Sequence, residues 1–228
     1  MTEIELISEL HANTRRTRIT YRGRIAGRDV AIKCYRRPLF GLIHWIRAQR
    51  RGLKIRRAGG PVPEIVYSGW LAQRRCFCFA TAFLDGYRPM RQVLREEASE
   101  ERQYQLIRLL GTRMADIHRC GIEQPDGNLT NFLVNPQDDL AMVDEDDIRV
   151  YANPLPVGVA ISNLANVAAR LPDKSMVEAL LSAYLERAFP SAPEQLDQGQ
   201  FWKSVMGWKN LLERKRAKRN ISATRRFD

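Results

Sequence analysis

Three side chains in this sequence stand at a spacing that suits phosphoryl transfer. They are Asp126, Asn131 and Asp144, in the segments Gln124-Pro125-Asp126-Gly127-Asn128-Leu129-Thr130-Asn131-Phe132-Leu133-Val134 and Met142-Val143-Asp144. In such a site the first Asp receives the proton of an attacking hydroxyl, while the Asn and the second Asp hold magnesium against nucleotide phosphates. The transfer needs little covalent help from protein, so correctly placed oxygen ligands supply most of the chemistry. Two such ligands suit magnesium, which completes its shell with water and phosphate. Taken alone, Pro125-Asp126-Gly127 is an ordinary turn signal; its spacing to Asn131 and Asp144 gives it a second meaning.

A further residue fits the same chemistry. Val30-Ala31-Ile32-Lys33 is an apolar strand ending in a Lys, and an ammonium there can reach α- and β-phosphates. His118-Arg119-Cys120 resembles the start of a catalytic His-Arg-Asp loop, but the residue five beyond Cys120 is Pro125, which has no metal-binding side chain. His118 is expected to pack or cap at a helix end.

These residues need elements to hold them. Arg18–Arg22 and Asp29–Tyr35 read as strands, broken by Gly23 and Gly27. Leu39–Arg57 has helical spacing and is stopped by Gly59-Gly60-Pro61. Glu64–Trp70 and Cys76–Phe83 read as two more strands, and Arg91–Ile117 as one long helix. Two short strands follow the Asp/Asn segment, Phe132–Asn135 and Leu140–Val143, joined by Pro136-Gln137-Asp138-Asp139. Helices are expected over Ile161–Leu171, Ser175–Phe189 and Gln200–Lys218. The pattern is a β-rich front and a helical rear, with a small hairpin between them carrying the candidate metal ligands.

The chain has 228 residues, 44% hydrophobic and 28% charged, which suffices for a substantial core and excludes a disordered composition. The start, Met1-Thr2-Glu3-Ile4-Glu5, lacks the pattern of a signal peptide, and no apolar run reaches membrane-spanning length, so a cytoplasmic protein is expected. Cys34, Cys76, Cys78 and Cys120 are too sparse for a disulfide scaffold, and with three His in the chain they read as buried thiols. Net charge is +11, with fifteen Lys or Arg and one acid between Arg15 and Arg57 and a second basic cluster from Lys209 to Arg219. Such a field attracts polyanions.

Together these residues resemble the lipopolysaccharide core kinases, the heptose and Kdo kinase family of the protein-kinase-like fold. Val30-Ala31-Ile32-Lys33 resembles the phosphate-contacting strand, and Gly60-Pro61-Val62-Pro63 the turn after the first-lobe helix. Thr81-Ala82-Phe83-Leu84-Asp85-Gly86 resembles the hinge, and Asp126, Asn131 and Asp144 the catalytic and metal positions. Asn163-Leu164-Ala165-Asn166-Val167 and Leu180-Leu181-Ser182-Ala183-Tyr184-Leu185 are similar to the rear helices. The resemblance implies an α+β, two-lobed fold, with an N-lobe over residues 1–84 and a helical C-lobe with a basic tail over residues 85–228.

It further implies ATP and Mg2+ as cofactors. Lys33 and backbone groups of Ala82 and Leu84 would face the nucleotide, Asn131 and Asp144 the metal, with Asp126 as proton acceptor. The acceptor would be a sugar hydroxyl of the anionic, lipid-anchored lipopolysaccharide inner core, met at the inner face of the inner membrane. Leu39-Phe40-Gly41-Leu42-Ile43-His44-Trp45-Ile46 and the arginines after it could lie on that surface. Core packing is expected for most of these apolar residues, with Trp45 and the Arg cluster left open.

The sequence also departs from the family pattern. There is no Asp or Glu between Asp29 and Glu64 to serve as the helix Glu that pairs with the strand Lys. No Gly-rich loop precedes Lys33, Arg22-Gly23-Arg24 being at most a remnant. Gln124 stands where a His is usual, and Asp144-Glu145-Asp146 replaces Asp-Phe-Gly. A pseudokinase scaffold in envelope assembly is therefore an alternative. So is a basic nucleic-acid-binding protein, although no recognition motif is visible and no specific nucleic acid is expected. Antibiotic-modifying small-molecule kinases share the loop spacing, but their cationic acceptors call for acidic surfaces that this chain lacks near the site.

Overall fold

The computed structural model describes residues 3–189, 197–218 and 226–227. Met1, Thr2, Arg219 and most of the basic tail lie outside the described residues. The protein is α+β, and its described residues form two compact units: Met1–Arg57 with Val62–Asp85, and Ala58–Pro61 with Gly86–Asp228.

The first unit is a five-stranded antiparallel sheet in the order β1-β2-β3-β5-β4, with one helix between the third and fourth strands. Its elements are β1 (Ile4–Ala12), β2 (Arg18–Ile25), β3 (Arg28–Tyr35), α1 (Pro38–Arg57), β4 (Ile65–Leu71) and β5 (Cys76–Ala82). Four strands and the helix agree with the expectation from sequence; β1 was not foreseen. It is an edge strand with most residues exposed and two register shifts against β2, features that blunt an open edge. Ile4 and Leu6 still pack on the sheet core of Val30, Ile32, Cys34, Cys76, Cys78 and Ala80.

The thiols are buried here as expected, apart from the half-buried Cys120. A hydrogen bond to Cys76, together with burial, pushes the Cys34 thiol up, and burial pushes Cys78 up to about 12. Gly23 has a packing reason. A Cβ there would lie 2.3 Å from the Glu5 carbonyl oxygen of β1, so it is a close-approach residue inside β2.

Helix α1 covers the opposite sheet face. Gly41, Ala48, Gly52 and Ile55 form its buried side, and a Cβ at Gly41 would meet the Tyr35 carbonyl oxygen at 2.6 Å. Trp45 stacks on Phe77 at 4.8 Å and donates Nε1–H to Ser68 Oγ at 2.8 Å, so it belongs to the sheet contact. The expected core packing fails for Leu39, Phe40 and Ile43, which are exposed. The small residues that let α1 approach the sheet turn these three outward.

The second unit holds β6 (Arg88–Pro89), α2 (Met90–Glu96), α3 (Glu100–Arg119), β7 (Ile122–Glu123), β8 (Phe132–Val134), β9 (Leu140–Met142), β10 (Arg149–Val150), α4 (Val157–Ala168), α5 (Lys174–Ala188) and α6 (Gln198–Ala217). One helix was expected over Arg91–Ile117, and the structure breaks it. Ser99 caps α3 by accepting from Arg102 N at 3.3 Å, with Glu100 and Glu101 in the first turn. Buried Gln103 then donates to the Leu94 and Glu97 carbonyls that end α2. Gly111 lets α3 and α5 meet, since a Cβ there would lie 2.3 Å from Leu180 O.

His118 packs as expected, at the end of α3. Its Nδ1 lies 2.9 Å from Tyr184 Oη and its Nε2 3.1 Å from Asn163 Oδ1. The amide oxygen can only accept, so the proton sits on Nε2. Burial pulls the imidazole down to about 4 from its ordinary 6.5. Between those values the unfolded chain binds a proton that the folded chain refuses, so stability falls as pH drops through the window, by about 3 kcal/mol in all. Denaturant titrations at pH 7 and pH 4.5 should show this loss. His118→Gln should be less stable at pH 7 and should lack that component of the acid slope.

Candidate functional site

Within the second unit, the segment after β7 runs as a loop under α4 and ends in the β8–β9 hairpin. β8 pairs with β9 through Phe132↔Met142, Leu133↔Ala141 and Val134↔Leu140. The turn is closed by Asn135, whose Oδ1 accepts from Gln137 N at 3.1 Å and Asp139 N at 2.8 Å.

The hairpin ends bring two of the expected residues together. Val143 N donates to Asn131 O at 2.9 Å, so Asp144 follows the residue bonded to Asn131. The buried Asn131 also donates Nδ2–H to the Asp126 carbonyl at 3.2 Å. Asn131 therefore links all three positions in one short chain of bonds. With its amide nitrogen committed, its Oδ1 is the atom available for a hard cation. Asp144 has φ of 62°, a left-handed conformation that Asp tolerates better than most residues but still at some cost.

Asp126 is exposed, its carboxylate leaving the loop outward. Its Oδ1 accepts from Asn128 N at 3.2 Å and from Arg170 Nη2 at 3.2 Å. Both bonds fall on one oxygen, which leaves Oδ2 clear of them. Arg170 is the residue that sequence reasoning missed. Its side chain is only 11% exposed. Burial pulls its guanidinium pKa down, Asp126 opposes that, and Arg216 and Arg91 add to it.

Helix α4 clamps the rest of the loop. Asn163 Nδ2 donates to Gln124 O at 2.6 Å, and its Oδ1 accepts from Gln124 N at 3.3 Å. Asn166 Nδ2 donates to Pro125 O at 2.7 Å. Gln124 is fully buried and donates Nε2–H to Val143 O at 3.1 Å, tying the loop to the strand that leads into Asp144. The signal was present in the sequence: Asn163, Asn166 and Arg170 lie at i, i+3 and i+7 of an otherwise apolar helix and its exit. Among the described residues, five buried side-chain polar atoms lack a hydrogen-bond partner, and three of them, Gln124 Oε1, Asn166 Oδ1 and Arg170 Nε, sit at this one contact. Local rules tend to be broken where function demands it.

The other expected residues lie in the first unit. Lys33 is half-buried on β3, opposite Phe79 of β5, on the face shared with Ala31 and Tyr35, while Val30, Ile32 and Cys34 enter the sheet core. Helix α1 carries no acid. β2 and β3 join through the two-residue turn Ala26-Gly27, with φ of 48° and 80°, a hairpin geometry. Ala82 N donates to Glu64 O at 2.8 Å and Phe83 N to Asp29 O at 3.0 Å. Those N–H groups are consumed by the sheet, so adenine recognition at this segment would rest on carbonyls and on Leu84.

Among the described residues no group of three or more His, Cys, Asp or Glu side chains could hold a metal ion. A cation here would be held by Asn131 and Asp144, with the remaining ligands brought by its own water and phosphate. Among the described residues no helix is long and apolar enough to cross a membrane. Neither a protein-family model nor a curated protein matches this chain.

Glycines on the two sides of this contact should respond oppositely. A Cβ at Gly127 would lie 2.9 Å from Asn166 Cγ and Val167 N, whereas one at Gly158, on the same helix α4, meets nothing within 4 Å. Gly127→Ala should destabilise the protein by about 1–3 kcal/mol through overpacking. Gly158→Ala should leave stability unchanged or raise it by up to about 1 kcal/mol. Thermal denaturation of the two variants checks the pair.

Proposed function

We propose that this protein is an ATP- and Mg2+-dependent phosphotransferase of the two-lobed protein-kinase-like fold, acting on a sugar hydroxyl of the lipopolysaccharide inner core. The observation that carries the reading is the junction at Asn131, which donates to the Asp126 carbonyl and accepts from Val143 N. Through it a proton acceptor and two oxygen ligands of the magnesium type meet on adjacent backbone. The position of Lys33 on the third strand of a five-stranded sheet, ahead of a helix, adds support, because that is where protein kinases carry the phosphate-contacting Lys.

In this reading Asp126 Oδ2 would take the proton of the acceptor hydroxyl as that oxygen bonds to the γ-phosphorus and the bond from that phosphorus to the departing ADP oxygen breaks. Arg170 holds the carboxylate by its other oxygen and so fixes which one faces the acceptor. Asn131 Oδ1 and Asp144 would hold the magnesium, which would supply charge neutralisation at the phosphates. Lys33 would contact the phosphates, and backbone groups near Ala82 and Leu84 would contact adenine. Gln124 does the positional work otherwise given to a His, through its bond to Val143 O. Helix α1 brings no carboxylate to order Lys33, and this favours a nucleotide-binding scaffold as the second reading.

Transfer from labelled ATP to purified lipopolysaccharide core separates the two. Asp126→Ala should lower the rate by about 10²–10⁴-fold, and Asp144→Ala should lower turnover and raise the Mg2+ concentration needed for half-maximal rate. Arg170→Gln should reduce turnover less than Asp126→Ala does. Mass spectrometry of the host's core glycan should show one phosphate fewer when the gene is deleted. An unchanged core, with nucleotide still bound by the purified chain, would favour the scaffold.

A further inference from the structure

Helix α1 presents an unusual outward face. Its 20 residues, about 30 Å of helix, place Gly41, Ala48, Gly52 and Ile55 against the sheet. The opposite arc carries Leu39, Phe40, Ile43 and Leu53, exposed by 78%, 62%, 46% and 43%. Between and beyond them stand Arg47, Arg50, Lys54 and Arg57, all exposed. Three of the four apolar side chains stand in the first two turns, the basic ones in the turns that follow with Leu53 among them, and the helix contains no acid.

We propose that this face of α1 is a docking surface for an anionic lipid bilayer. Three large apolar side chains held in water at one helix end gain by entering the acyl boundary, and basic side chains beside them gain from lipid phosphates. Each basic group near such a surface contributes about a fivefold gain in binding. Nucleic acid would satisfy the charges but would leave Leu39, Ile43 and Leu53 in water. A second copy of the chain would cover the apolar turns but set basic stripe against basic stripe. A bilayer of anionic lipid satisfies both. The inference rests on exposure and charge in the first unit and does not depend on the proposed transferase activity.

Sedimentation of the full-length chain with vesicles tests it. With vesicles of phosphatidylcholine and phosphatidylglycerol the wild-type chain should pellet, and with phosphatidylcholine alone the binding should be at least tenfold weaker. Leu39→Ser/Phe40→Ser/Ile43→Ser and Arg47→Glu/Arg50→Glu/Lys54→Glu should each lower binding to the anionic vesicles at least tenfold. Both sets alter exposed side chains, and unchanged circular dichroism and melting temperature verify that the fold survives. Added salt should weaken wild-type binding and leave a residue that the apolar triple variant lacks, a readout that needs no charge-reversed protein. No pelleting of wild type with anionic vesicles overturns the proposal. So does pelleting that the apolar triple variant leaves intact, especially with equal binding to an RNA oligonucleotide, which would assign the face to nucleic acid. A lipid-free dimer that the apolar variant dissociates would assign it to a second copy.

Discussion

The candidate site depends on satisfying the backbone of an irregular loop without a ladder. Residues 124–126 lie outside any regular element, and a buried peptide group without a partner is costly. Side-chain amides take over. Asn163 binds both the N–H and the carbonyl of Gln124, Asn166 binds the Pro125 carbonyl, and Asn131 binds the Asp126 carbonyl. Asn163 donates and accepts at once and so holds the peptides on both sides of Gln124, while Asn166 and Asn131 each donate to one carbonyl. The backbone being held from below, the Asp126 carboxylate is free to leave the loop outward. A loop pinned by its own scaffold has already lost the entropy that positioning costs, which is the requirement a transfer reaction imposes.

The same device explains why the clamp escaped a reading of the sequence. Polar residues at helical spacing normally mark a solvated face. On α4 they are the most buried polar groups of the helix, Asn163 and Asn166 being 3% and 2% exposed. Only the loop they serve distinguishes the two cases, and that loop is nearly 40 residues away in sequence. The spacing of Asp126, Asn131 and Asp144 singled them out, and the structure ties Asn131 to the Asp126 carbonyl and to Val143 N, just before Asp144. The β8–β9 hairpin was legible because an Asn-Pro-Gln-Asp-Asp turn separates two short apolar runs. The edge strand β1 was not, since with one side half-buried and the other in water its pattern is weak. The break between α2 and α3 had a readable cap in Ser99-Glu100-Glu101, but the apolar period on both sides runs through it.

The strand that carries Lys33 shows how packing fixes which face of the sheet a basic side chain occupies. Alternation sends Val30, Ile32 and Cys34 into the sheet core, which locks the strand's register. Lys33 is then forced to the other face, beside Phe79 and in line with Tyr35. That face is approached by a helix whose contact residues are Gly41, Ala48 and Gly52, small side chains that hold the backbone close and leave no carboxylate within the contact. The face on which Lys33 lies thus follows from strand alternation.

Close approach of α1 to the sheet also sets what the helix shows to water. A helix that buries small residues must carry its large ones elsewhere, and here they are Leu39, Phe40, Ile43 and a run of Arg and Lys. Arg47, Arg50, Arg51 and Lys54 stand three or four positions apart, and like charges at that spacing cost about 0.2–0.5 kcal/mol a pair. The basic last turn recovers part of this against the helix dipole, but the middle of the helix has no such offset. Neither the repulsion nor the exposed apolar turns serve the fold, which is held through Trp45, Ala48 and Ile55. A surface that costs stability through the middle of the helix and sets exposed apolar turns beside a basic stripe is complementary in sign and in hydropathy to the boundary of an anionic bilayer, the environment proposed for it.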